Sequence, residues 1–79
     1  MDVLLGSMLL FAGDFAPSGF VECKGQMLSI EQNAALFSIL GVTYGGDGVK
    51  TFGLPAMQHG VTPGMRWCIA TVGIFPQRP

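Results

Sequence analysis

The chain has 79 residues and a mass of 8.4 kDa; 49% of its side chains are hydrophobic, only 11% are charged, and the formal charge is −1. That length allows a single domain, 1–79, with one small core, and high hydrophobicity with low charge excludes disorder. Four Lys plus Arg leave no basic stripe for phosphates, so no nucleic-acid partner is expected, and twelve Gly with five Pro exclude a helical bundle.

Val3–Leu5 and Met8–Ala12 are apolar runs of strand length, separated by Gly6 and closed by Gly13. This N-terminal stretch does not have the make-up of a secretory signal, because its only early charge is Asp2. It also falls short of the ~20 apolar residues of a spanning helix. Synthesis in the cytoplasm, without a signal peptide or membrane insertion, is therefore expected. Asp14–Gly19 reads as a loop in which Pro17 fixes one dihedral and Gly19 can take positive φ. Phe20–Cys23 alternates as a half-buried strand, Lys24-Gly25 turns, and Gln26–Leu28 returns. A helix is predicted over about 30–40. Ser29 and Gln32 have capping-box spacing, Glu31 suits the first turn, Ala35, Leu36, Phe37, Ile39 and Leu40 give an apolar face, and Gly41 ends it. A glycine-rich loop, Thr43–Gly48, precedes a short strand at Thr51–Leu54. An irregular connection then leads to the most β-prone segment, Trp67–Val72, extended by Ile74-Phe75 to about 67–75. The fold class expected is α+β: a small β-meander of short antiparallel strands braced by one helix and closed by a C-terminal strand.

Little in this chain has the form of a reactive site. The stretch YGGDGVKT has a Lys-Thr pair after glycines, but Val49 stands where a phosphate-binding loop needs Gly, and the glycines follow a helix rather than opening one. Asp47 alone offers too few oxygens for a hard cation. The loop is expected to fold Tyr44 back onto the helix. His59, the one histidine, has no nucleophile motif beside it, and Cys23 and Cys68 lack metal-ligand spacing. Two cysteines permit one disulfide, but two buried free thiols are the favoured arrangement. No enzyme activity, metal or cofactor is expected.

The segment from Leu9 to Pro55 carries a set of unusual motifs in fixed order. They are Phe11-Ala12-Gly13, Pro17-x-Gly19, Cys23-x-Gly25-Gln26, Leu36-Phe37, Thr43-Tyr44-Gly45-Gly46-Asp47-Gly48 and Thr51-Phe52-x-Leu54-Pro55. Together they resemble the phage tail collar domain family of short tail fibres and microcystin-dependent proteins. Members of that family usually carry Trp at the position of Phe20, Asp at that of Lys24, and an Asp-Leu-Arg-Gly-Arg-like segment where Ala56–Gly60 stands. Longer members also have a distal region before a closing strand like Cys68–Pro76; here the chain is expected to pass straight to that strand, as a compact form. The resemblance implies a structural module of a phage or prophage tail fibre, found in the virion. Its partners would be itself, as a trimer or other closed ring, and other tail proteins.

So apolar a chain cannot conceal its hydrophobic side chains alone, and contiguous exposed patches mark interfaces. Val3, Leu4, Leu5, Met8, Ile74 and Phe75 are the interface candidates; burial of the N-terminal set under the C-terminal strand is the alternative. Core candidates are Phe11, Phe20, Leu36, Phe37, Leu40, Phe52, Leu54, Trp67 and Ile69. A second function, binding of a small ligand or carbohydrate, rests on Tyr44, His59, Arg66 and Trp67 in or beside loops.

Overall fold

The computed structural model describes residues 3–13, 15–57 and 64–76. In chain order its elements are β1 (Met8–Phe11), β2 (Phe20–Glu22), β3 (Met27–Ser29), α1 (Ala34–Leu40), β4 (Thr51–Gly53) and β5 (Arg66–Ala70). The fold is a small α+β one, with antiparallel strands in two sheets.

Strand order departs from a meander. β5 lies between β1 and β2, while β3 pairs with β4 across the helix. Met8 faces Ile69 and Phe11 faces Arg66 on one side of β5; Phe20 faces Ala70 on the other. The central place falls to the strand whose Cys68, Ile69 and Ala70 are all buried. A strand with both faces covered suits the middle of a sheet, where its backbone groups are paired on both sides.

The helix starts later than the capping pattern predicts. Ser29 is held in the β3–β4 ladder opposite Thr51, and the Ile30 N–H continues that ladder to the Lys50 carbonyl at 3.0 Å. The chain must therefore turn before it can wind. Ser29 Oγ accepts from the Gln32 N–H at 3.4 Å, and the Asn33 N–H reaches the Ile30 carbonyl at 3.1 Å, so the cap-like contact shapes this turn. Asn33 is the N-cap, and its side-chain amide donates to the Ser29 carbonyl at 3.0 Å. At the other end the Gly41 N–H closes onto the Phe37 carbonyl, with φ 59, as a terminal glycine should.

Two further expectations are modified. Val3–Leu5 is not a full strand: Leu4 makes only an isolated parallel bridge with Ile74 before the chain turns at Leu4–Ser7. In that turn the Ser7 N–H donates to the Leu4 carbonyl and Gly6 takes φ 87, the geometry that a third-position glycine allows. β5 ends at Ala70 rather than continuing to 75. The chain bends through 71–73, with Gly73 pressed against the Val3 carbonyl, and Ile74 then re-pairs with Leu4.

The core gathers Leu5, Cys23, Leu36, Phe52, Leu54 and Ile69, with Phe37, Leu40 and Trp67 packed at its edge. The Phe37 and Phe52 rings meet at 5.5 Å and a 54° tilt, joining helix to β4. Leu36, Phe52, Leu54 and Ile69 are thus core residues as expected. Phe11 and Phe20 are only half-buried, because they lie on the opposite face of the three-stranded sheet.

Candidate functional site

Alternation along the sheet separates two faces. One face, with Val21, Trp67 and Ile69, covers the core. The other presents Leu9, Phe11 and Phe20, which line a groove of about 670 Å³ completed by Val3, Pro17, Ser18, Gly19, Val72, Gly73 and Ile74. Its walls are set by two glycine-dependent bends: the Pro17–Phe20 turn, where Gly19 has φ 85, and the bend at Gly73. Ser18 supplies the one side-chain hydroxyl of this lining. With a single side-chain hydroxyl, the groove offers few groups that could orient a small polar substrate.

The interface candidates divide. Leu5 is only 5% exposed and belongs to the core, so the alternative of burial holds for it. Its N–H donates to the Ile74 carbonyl, and the Ile74 N–H to the Val3 carbonyl, which pins the N-terminal segment against the C-terminal one. Leu4, Met8, Ile74 and Phe75 are exposed, and Val3 is half-buried on the groove. Leu9, Leu10 and Phe15 are exposed as well, and nothing in the sequence marks them for the surface. Their alternation signal is weak, because Met8–Phe11 is apolar on both faces.

Two of the ligand candidates face apart. Arg66 and Trp67 are successive residues of β5 and point to opposite faces, and His59 lies outside the described residues. Arg66 is already engaged. Its Nε donates to the Gly13 carbonyl at 2.6 Å and its Nη1 pairs with Glu22 Oε1 at 3.0 Å, tying the end of β1 to β2 across β5. Tyr44 is 48% exposed, and the backbone of its loop lies against β4. There the Gly53 N–H donates to the Gly45 carbonyl at 2.8 Å, backbone against backbone.

Within that loop Asp47 Oδ1 accepts the N–H groups of Val49, Lys50 and Thr51 at 2.9, 2.8 and 3.0 Å. These bonds, that to Lys50 first, pull its carboxyl down to about 2. Because the folded-state value lies below the ordinary one, the loop's ordering is complete above about pH 4 and is lost as pH falls towards 2. Amide exchange at 49–51 is accordingly expected to accelerate in Asp47→Ala by about tenfold or more, since three charge-assisted bonds go together. On the unaltered chain, the protection of these amides relative to their intrinsic exchange rate should fall between pH 4 and 2.

Cys23 and Cys68 are buried free thiols. Burial pushes Cys23 up to about 11, with Cys68 and Glu22 adding to the shift; burial also raises Cys68, with Arg66 opposing. Both stay protonated near neutrality, which makes them small core residues rather than nucleophiles. Among the described residues no cluster of three His, Cys, Asp or Glu could hold a metal ion, and no helix is long and apolar enough to cross a membrane.

The chain is thus a small α+β module whose motifs shape turns and close backbone contacts and which leaves many large apolar side chains exposed. The Gln26 side chain shows the pattern: it donates to the Glu22 carbonyl and accepts from the Lys24 N–H, so Cys23-x-Gly25-Gln26 is a self-closing turn. Lys24 contributes backbone groups to that turn while remaining exposed, which explains how Lys can stand where the family usually has Asp. The family model for the Phage Tail Collar Domain matches residues 6–62, and the chain belongs to that family of structural tail-fibre components. No curated protein matches the chain in sequence.

Proposed function

We propose that this protein is a non-enzymatic assembly module of a phage or prophage tail-fibre-like particle, and that it associates with copies of itself and with other tail proteins through apolar surface. The observation that carries this reading is the set of large apolar side chains left in solvent among the described residues: Leu4, Leu9, Leu10, Phe15, Ile74 and Phe75 are each more than a third exposed. Contiguous apolar surface of this kind marks an interface with another protein.

Sedimentation equilibrium at micromolar concentration tests the proposal. A reversible oligomer is the expected result. A chain that stays monomeric, and that is not retained by immobilised tail-fibre proteins encoded beside it, would refute it.

A further inference from the structure

The three-stranded sheet has two edges, and they are built differently. β2 is short, ends in Glu22, and has that carboxylate tied to Arg66. Such an edge resists pairing. β1 has the sequence Met-Leu-Leu-Phe, with no charge, no proline and no bulge within its span, and Met8, Leu9 and Leu10 are 37%, 38% and 39% exposed. Natural sheets seldom leave such an edge bare.

The backbone register decides which groups are free. The Ala70 N–H donates to the Ser7 carbonyl at 2.9 Å, so Ser7 lies at a hydrogen-bonded position of the β1–β5 pairing. Alternation then turns the backbone groups of Leu9 and Phe11 towards Cys68 and Arg66, and those of Met8 and Leu10 outward. Among the described residues, nothing hydrogen-bonds to those outward groups.

We propose that β1 pairs antiparallel with β1 of a second copy about a two-fold axis at Leu9, which rests on the self-association reading above. In this register Met8 faces Leu10 of the other copy, and each such pair exchanges both N–H···O bonds, about four in all. Leu9 meets its own counterpart on the groove side, so the two grooves join; Met8 and Leu10 meet theirs on the opposite face. The arrangement is isologous and closes on itself, giving one continuous sheet through both copies. It is this strand's self-complementarity, apolar against apolar at every position, that selects a second copy as the occupant.

Leu9→Lys and Leu9→Glu place like charges opposite each other on the axis, and each alone is expected to raise the dimer Kd by about tenfold or more. An equimolar mixture of the two should recover dimers. Leu10→Pro removes an outward donor while leaving the β1–β5 ladder intact, and should weaken the dimer similarly. Without any substitution, exchange of the Met8 and Leu10 amides should slow as the chain is concentrated. Circular dichroism checks the fold of each variant. An unaltered chain that forms a trimer, or a dimer indifferent to these substitutions with Met8 and Leu10 amides exchanging at a concentration-independent rate, overturns the edge pairing but leaves self-association standing. A strict monomer overturns both.

Discussion

Gly53→Ala is expected to destabilise the fold by about 3 kcal/mol or more, at the upper end of overpacking costs. A Cβ at this position would overlap the Tyr44 carbonyl oxygen and stand 2.9 Å from its carbon. The obstacle is main chain, so no rotamer change can relieve it. Gly46→Ala meets the same barrier from the other side, 2.8 Å from the Phe52 nitrogen, and adds the strain of φ 97. Gly64→Ala is the control: φ is 88 but the surrounding space is open, so only the conformational part, about 1 kcal/mol, should be lost. Urea denaturation followed by circular dichroism separates these outcomes. Equal midpoints for all three variants would show that the 44–46 segment does not lie against β4.

Phe52→Ala should cost a similar amount, about 3–5 kcal/mol. Phe52 is fully buried, bridges α1 and β4 through Phe37, and sits at the centre of the core. A 79-residue domain has only about 4–12 kcal/mol of stability to lose. The variant should therefore lose at least about a quarter of that stability, which a lowered midpoint in a thermal scan would read directly. Phe15→Ala, at an exposed position, should move stability by no more than about 0.5 kcal/mol.

Short strands bounded by Gly and Pro were legible in the sequence because each turn residue does local work. Gly19, Gly25 and Gly41 all take positive φ at chain reversals. Leu36, Phe52, Leu54 and Ile69 were legible as core because size and periodicity agree. The start of the helix was not, since the competitor for Ser29 is a partner strand more than twenty residues away, and no local pattern carries that information. The same holds for strand order. Placing β5 between β1 and β2 depends on which edges remain open after the loops are drawn. The candidate surface was legible only in part: Leu4, Met8, Ile74 and Phe75 are exposed, but Leu5 turns inward because the Gly6 turn reverses the chain beside it. Within the ligand set, Arg66 and Trp67 are parted for a simpler reason: neighbours in sequence along a strand face apart.

The central position of β5 also orders the birth of the molecule. On the ribosome, β1 and β2 emerge first and do not pair with each other, because the strand that unites them is made after β3, α1 and β4. Until Ala70 clears the exit tunnel, the greasy Met8–Phe11 segment has no neighbour within its own chain. Closure across so long a span is slow, and the nascent chain is most prone to clump during that interval.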